Sequence, residues 1–366
     1  MIKKIDRHIL GKFFTTFLFC MLLFTLIAVA VDSSEKTDDF VKTGLGTGQI
    51  IKEYYLGFIP WIWGLLYPLF VFIAVIFFTS KMAFRSEIIA ILASGTTYNR
   101  WLRPYIIGGI IFAIGLWLAN DYGIPKANKI KADFQSNYID RTDPTKNIIQ
   151  SDCRNCFYLR LDSVTYVAVK HFDTASKTSY GFYMEKVRNN KVFYNLRADQ
   201  LKWDTAKNNW QLINVVERNI DSMKESVTHL PMMNMNLKIR PAELRKDEYL
   251  KDKLTTPHLR EYIKTEEQRG REGLNALKVE MYRRAATPFT VLLLTIIGAV
   301  VAGRKVRGGS GLHLAIGILI AVAFIVLDRF STVFSIKGNF HPMLAAWVPN
   351  IIFTFVAYYL YRKAPK

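Results

Sequence analysis

Cys153 and Cys156 form the most recognisable chemical motif of the 366-residue chain, a C-x-x-C pair in its polar middle region. In an oxidising compartment this spacing could close a local disulfide, or the thiols could stay free. A zinc site would need two further ligands of similar type, and the six histidines are scattered, so we predict no metal site. A redox role is disfavoured because no β-α-β pattern surrounds the pair.

A basic, glycine-rich turn at residues 303–310 superficially resembles a phosphate-binding loop. Gly309 stands where that motif requires a lysine, and no strand precedes the turn. The chain also lacks the signatures of serine hydrolases, zinc proteases and paired-acid hydrolases. We therefore predict that the chain is not an enzyme, that it binds no cofactor itself, and that any energy it uses comes from a partner.

Ionisable residues within or beside apolar segments are the other candidates. Asp328 and Arg329 lie inside a long apolar segment, where charges either line a polar pathway or form a buried ion pair. Lys36 and Lys42 follow the first apolar segment, where an ammonium group could meet a lipid phosphate; ordinary solvated lysines are the alternative.

Six apolar segments have the length that a bilayer requires. Three precede a polar insert and three follow it, at residues 9–31, 56–79, 104–120, 286–302, 312–334 and 343–361. No small-residue cleavage site follows the first segment, so we treat it as a permanent helix rather than a signal peptide.

Lys and Arg concentrate on one side of these segments. Both ends of the chain and the loops at 80–103 and 303–310 are strongly basic, whereas the alternate loops are slightly acidic. Both termini are therefore predicted to be cytoplasmic. Much of the net charge of +19 lies along these inner rims, which favours an anionic lipid or glycolipid over nucleic acid as partner. Arg283 and Arg284 violate the bias on the outer side, and we predict that they contribute to a lipid-headgroup site.

The polar insert, residues 121–285, contains short β-branched and aromatic runs between about residues 156 and 221. Their close spacing predicts an antiparallel sandwich or open jelly roll, with helical stalks at 126–138, 258–268 and 272–284. The predicted fold is thus an α-helical membrane protein with six transmembrane helices and an extracytoplasmic β jelly-roll domain between helices 3 and 4. Its domains are 1–120, 121–285 and 286–366.

Residues 84–95 form an apolar segment that is too short to span a membrane. At about 1.5 Å per residue it covers roughly 18 Å, against about 30 Å of hydrocarbon. Ser86 is a typical N-cap, Glu87 places a carboxylate in the first turn, and Gly95 is a natural stop. We predict a helix that docks onto a cytoplasmic partner; a buried connector is the alternative.

Over nearly its full length the chain resembles the LptF/LptG permease family of lipopolysaccharide export. The resemblance rests on the order of three spans, a polar insert and three further spans. It also rests on four sequence blocks: Ile9-Leu-Gly-Lys-Phe-Phe-Thr-Thr16, Val31-Asp32, Arg85-Ser-Glu-Ile88 before Ala93-Ser-Gly95, and Val326-Leu-Asp328. The Arg-Ser-Glu and Ala-Ser-Gly block is the most specific of these.

The resemblance implies a permease subunit of the bacterial inner membrane that extracts lipopolysaccharide into a cavity shared with a homologous permease. The implied partners are two copies of a cytoplasmic ABC ATPase, which supply ATP and Mg, and a single-span periplasmic bridge protein of the LptC type. Residues 84–95 would be the coupling helix. Its ATPase-coupling residues would be Arg85, Ser86, Glu87 and Gly95, with Glu87 seated in a groove of the ATPase.

The same resemblance aligns Lys36 with a basic position that LptG members use near the cavity mouth. A second basic position of the family is Val29 here, so both an LptF-like and an LptG-like role stay open. Two further interpretations compete with the exporter: a membrane-anchored sensor or scaffold with a ligand-binding β domain, and a lipoprotein-releasing permease, although that class generally has four spans.

Overall fold

A computed structural model describes residues 3–139, 157–173, 176–205, 207–221, 224–237, 239–241, 249–270, 273–304 and 310–364. Cys153 and Cys156 lie outside these ranges, so their disulfide stays a prediction. The chain divides into a helical unit, Met1–Phe134 with Lys251–Arg260 and Asn275–Lys366, and a β unit, Gln135–Leu250 with Glu261–Leu274.

The helices, in chain order, are α1 (Lys4–Glu35), α2 (Thr37–Thr43), α3 (Thr47–Ile50), α4 (Leu56–Phe84), α5 (Glu87–Ala93), α6 (Tyr98–Leu118), α7 (Ile124–Phe134), α8 (Leu250–Lys253), α9 (Thr256–Gln268), α10 (Asn275–Ala302), α11 (Ser310–Lys337) and α12 (Pro342–Arg362). Three π-helical turns, Ile51–Tyr55, Ala119–Gly123 and Gln135–Ile139, adjoin α4, α6 and α7.

Six of these helical segments, built on α1, α4, α6, α10, α11 and α12, are long and apolar enough to cross a membrane, which confirms the predicted number. The segment built on α6 and α7 runs from Tyr98 to Ile139 over 42 residues. At 1.5 Å per residue it measures about 63 Å, roughly twice the hydrocarbon thickness, so its end extends beyond a bilayer. Helix α7 is part of the helical unit because it packs closely against α4. A Cβ on Gly57 of α4 would lie 2.6 Å from the Ala127 carbonyl oxygen of α7.

Helix α10 is the most deeply buried of the membrane helices, whereas α1 lies at the edge of the helical unit. Fourteen of the 28 residues of α10 are buried, against six of the 32 residues of α1. The buried stripe of α1 contains Ile9, Phe13 and Phe17, spaced four residues apart on one helix face. Phe13 packs between Phe78 of α4 and Phe112 of α6, with ring centroids 5.5 and 4.8 Å away.

The β unit contains one six-stranded antiparallel sheet. Its strands, β1 (Phe157–Arg160), β2 (Thr165–Asp173), β3 (Thr178–Arg188), β4 (Lys191–Asp204), β5 (Asn209–Asp221) and β6 (Lys224–Met235), lie side by side in chain order. The antiparallel prediction is confirmed. The described strands form a meander because short turns join neighbours, whereas a jelly roll needs crossovers between two sheets, so the jelly-roll part of the prediction is not confirmed.

The pleat of the sheet inverts along a line that crosses five strands, β2 to β6. The register is the same on both sides of the line, but ladder pairing is interrupted at Lys170, Gly181, Asp199, Asn214 and Pro231. Gly181 and Asn214 have φ values of 82° and 54°, a left-handed conformation that reverses the side on which the following side chains point. As a result, Ala198 and Leu201 of β4 both face the core, although they are three residues apart.

Candidate coupling and headgroup sites

Helix α5 contains seven residues, fewer than the predicted segment of twelve. Ser86 precedes it with φ 59° and ψ 15°, and its side chain makes no capping hydrogen bond. Ser86 thus occupies the predicted N-cap position, but its side chain does not cap the helix, because a capping side chain requires an extended backbone to reach the amides of the first turn. Gly95 follows the helix with φ +83°, as predicted for a stop residue.

Glu87, the first residue of α5, is held between two cations. Its Oε2 lies 3.0 Å from Nζ of Lys12 on α1, and its Oε1 lies 4.0 Å from Nη1 of Arg85. The side chains of Glu87 and Lys12 are both 31% exposed. The carboxylate is thus oriented within the chain and still open to a partner.

The two faces of α5 differ. Ile88 is buried in the core formed by α1, α4 and α6, whereas Ile89 and the preceding Phe84 are 48% and 67% exposed. A short helix with one anchored face and one exposed apolar face, and with a carboxylate at its start, suits docking into a groove with a basic residue. This arrangement favours the docking interpretation over that of a buried connector.

A second ion pair fixes the same end of α1. Arg100 of α6 donates from Nη1 and Nη2 to the two carboxylate oxygens of Asp6, at 2.8 and 2.6 Å. The Asp6 side chain is 5% exposed. Two-point pairing of this kind fixes direction as well as distance. The end of α1 that is predicted to be cytoplasmic is therefore tied to both α5 and α6.

Lys36, at the opposite end of α1, is already paired within the chain. Its Nζ lies 3.4 Å from Asp32 Oδ1 and also donates to the Tyr54 hydroxyl, which in turn donates to Asp32 at 3.0 Å. A lipid phosphate would therefore share the three donors of the Lys36 ammonium with Tyr54 and Asp32. Lys42, on α2, is much more accessible. Its side chain is 66% exposed, and its contact with Asp39 is long, at 3.9 Å.

Arg284 occupies an internal position that the headgroup prediction did not anticipate. The residue is 7% exposed, and its guanidinium donates to the carbonyl oxygens of Lys251 and Leu254, both at 2.8 Å. Its Nε also lies 3.4 Å from Glu280. Arg284 thus satisfies carbonyls at the end of α8 and is not available to a headgroup. Of the basic pair, Arg283 remains the half-exposed member.

Asp328 and Arg329 lie in the middle part of α11, half-buried and exposed, respectively. Neighbouring residues of a helix point about 100° apart and do not face each other. Neither side chain forms an ion pair with any residue in the described ranges. The alternative of a buried ion pair is therefore not seen, and the exposed Arg329 requires a polar cavity or a partner if α11 spans a bilayer.

The β unit holds a cavity of about 360 Å³ that the sequence did not reveal. Two arginines, Arg160 and Arg269, and two tyrosines, Tyr166 and Tyr183, contribute to its lining together with Glu185. Beside it, Asp162 accepts hydrogen bonds from the amides of Val164 and Thr165. These bonds hold the pKa of the Asp162 carboxyl below its usual value. The described residues contain no cluster of potential metal ligands.

Lys12, Asp6 and Arg100 were missed by sequence reasoning. Lys12 lies 75 residues from Glu87, and Asp6 lies 94 residues from Arg100, so no local pattern links the partners. The available signal was the position of Lys12 within the Ile9–Thr16 block that carries the family resemblance.

Six helical segments that are long and apolar enough to cross a membrane, with an antiparallel β unit inserted in the chain between the third and fourth, fit a multi-pass membrane protein of the permease type. The chain belongs to the family described as lipopolysaccharide export system permease LptF/LptG, whose model matches residues 7–363. The predicted family is thereby confirmed, and its members are transport subunits rather than enzymes. A search of curated proteins finds no significant match.

Proposed function

We propose that the chain is a permease subunit of an ABC transporter that extracts lipopolysaccharide from the bacterial inner membrane and passes it to a periplasmic bridge. The observation that carries this proposal is the geometry of α5, which presents Glu87 and an exposed apolar face at the predicted cytoplasmic side. The full-length family match supplies the substrate.

The energy for transport enters through α5 in this proposal. Two copies of a cytoplasmic ABC ATPase serve the complex, one on each permease, and they bind ATP and Mg. Glu87 enters a groove of the ATPase that contains a basic residue, while Ile89 and Phe84 supply apolar contact area. Arg85 flanks the carboxylate, and Gly95 ends the helix so that the chain can turn into α6.

A homologous permease is the second partner in the proposal. Large apolar side chains are exposed along α1, including Leu18, Leu22 and Leu26, and along α11, including Leu319 and Phe334. Part of this surface meets lipid. The exposed Arg329 and the half-buried Asp328 belong on the part that faces the partner or a shared polar cavity, because lipid solvates ionised groups poorly. A bridge protein of the LptC type completes the complex.

The lipid-phosphate contacts follow from the accessible cations at the predicted outer face. Lys42 and Arg283 are available to a phosphate directly, whereas Lys36 would bind one while it also contacts Asp32 and Tyr54. Arg284 is a structural residue and is not included. This set replaces the four basic residues that the sequence suggested, on the ground of burial and pairing.

Photocrosslinking tests the proposed transport function against the sensor or scaffold interpretation. A photoreactive phenylalanine analogue at Tyr194, which packs against the sheet core, should give lipopolysaccharide adducts that require ATP in the complete complex. The same analogue at Tyr180, a residue with 50% exposure, serves as the solvent control. Adducts that form equally without ATP, or none at Tyr194, would contradict export through the β unit.

A further inference from the structure

Helix α1 is packed against the helical unit along one face only. Besides Asp6 and Asp32 near its ends, its buried residues are Ile9, Phe13, Phe17 and Cys20, and none of these lies beyond residue 20. Beyond Cys20, Phe24 stacks on Phe70 of α4 and Thr25 accepts a hydrogen bond from Trp63, whereas Leu22, Leu26 and Val31 are exposed. A helix that is packed along one face only can tilt as a unit at lower cost than a helix that is buried all round.

Polar contacts hold both ends of this helix. Lys12 and Asp6 tie the first end to α5 and α6, while Asp32 and Lys36 meet Tyr54 at the second end. In the described part of the chain, the Lys12–Glu87 pair is the polar contact that joins α1 to α5. Lys12 and Lys36 are 24 positions apart in a continuous helix, which corresponds to about 36 Å.

Glu87 can keep this contact while it binds a partner. One carboxylate oxygen faces Lys12 at 3.0 Å, and the other has only the weaker contact with Arg85 at 4.0 Å. An ionised carboxylate offers about four acceptor sites on its two oxygens. A cation in a docked groove can therefore approach Oε1 without displacing Lys12 from Oε2.

We propose that Lys12 is a positioning residue that couples α5 to α1, so that a displacement of α5 by the docked ATPase moves the outer end of α1 and its Asp32–Lys36–Tyr54 cluster. This inference rests on the proposed function and adds the path by which a displacement of α5 reaches the outer end of α1. The pair is about one-third exposed, so its expected contribution is limited to a factor of about five.

The test compares three variants in the complete complex, reconstituted in proteoliposomes. K12M removes the ammonium and keeps an unbranched side chain, K12R retains the charge, and K81M removes an exposed lysine from the last turn of α4 as a matched control. We expect K12M to retain the ATPase during purification and to lower lipopolysaccharide-stimulated ATP hydrolysis by about threefold to fivefold. K12R should restore the stimulation, and K81M should match the wild type.

A second measurement needs no partner and keeps the two proposals separable. Amide hydrogen exchange of residues 84–95 in the full-length permease alone should accelerate up to about fivefold in K12M and remain unchanged in K81M. Unchanged exchange in K12M, or equal loss of stimulation in K12M and K81M, would overturn the role of Lys12. Wild-type complexes that show no lipopolysaccharide stimulation, with accelerated exchange in K12M, would instead contradict the transport function and restrict Lys12 to anchoring α5.

Discussion

Arg100 binds Asp6 with both terminal nitrogens, at 2.8 and 2.6 Å, and so joins the start of α6 to the start of α1. The carboxylate is almost fully buried by this contact, with 5% exposure. Replacing Arg100 by Leu should leave Asp6 buried without its cation and lower the thermal unfolding midpoint of the full-length protein. Arg103, three residues later and exposed, provides the control. An R100L midpoint equal to that of R103L would show that the pair contributes nothing.

Gly108 permits the close approach of α1 to α6. A Cβ at this position would lie 2.7 Å from the ring of Phe13, whereas a Cβ on Gly115 of the same helix would meet only the Tyr67 hydroxyl at 3.6 Å. We expect G108A to destabilise the protein by about 1–3 kcal/mol through overpacking. G115A should be neutral or slightly stabilising because alanine favours helix. Denaturant unfolding of the two variants checks this, and equal effects would refute the tight contact.

Arg284 stabilises the junction between α8 and α10. R284M should leave the carbonyls of Lys251 and Leu254 without their donor, at a cost of about 2–3 kcal/mol in the free energy of unfolding. R283M should change stability little and weaken lipopolysaccharide stimulation instead. Thermal unfolding and ATPase measurements on the same preparations separate the two roles. If R283M and R284M behave alike in both assays, the assignment of the pair to different roles fails.

The Asp162 turn gives the β unit a pH-dependent contribution to stability. Because the folded pKa of this carboxyl is depressed, its stabilisation is complete above the unfolded value of about 3.9 and is lost as pH falls through the folded pKa. The protection factors of the amides in the β1–β2 turn, corrected for the intrinsic exchange rate at each pH, should therefore fall on acidification below about pH 4. D162N should exchange faster at neutral pH and lose this acid-induced change, whereas the strand-end variant D221N should behave as the wild type.

The membrane architecture was predictable, because the length and apolarity of a span are properties of a contiguous segment. The same holds for the Gly95 stop, which depends on one residue. Ion pairs such as Lys12–Glu87 were not predictable, since the tertiary fold alone brings residues 75 positions apart together. The left-handed conformation of Ser86 was also missed, because serine is common both as a capping residue and as a turn residue.

The β unit shows where a local pattern fails for a physical reason. Alternating apolar residues indicated strands, but the alternation shifts by one residue where the left-handed Gly181 and Asn214 invert the pleat. A glycine or asparagine within a strand pattern signals such an irregularity without giving its direction. Arg284 illustrates a different limit, since charge counting marked it as an exception to the charge bias but could not reveal the carbonyls that surround it.

The most direct test of the account is the amount of ATPase that co-purifies with the permease complex when Glu87 is reversed to Arg. E53R, with the same charge change at an exposed residue of the predicted outer loop, is the matched control. The account predicts a folded E87R permease that loses at least about 90% of the bound ATPase, a shift of roughly 1.4 kcal/mol or more in binding, while E53R retains it. An E87R complex with wild-type ATPase content and wild-type lipopolysaccharide stimulation would contradict the proposed role of α5.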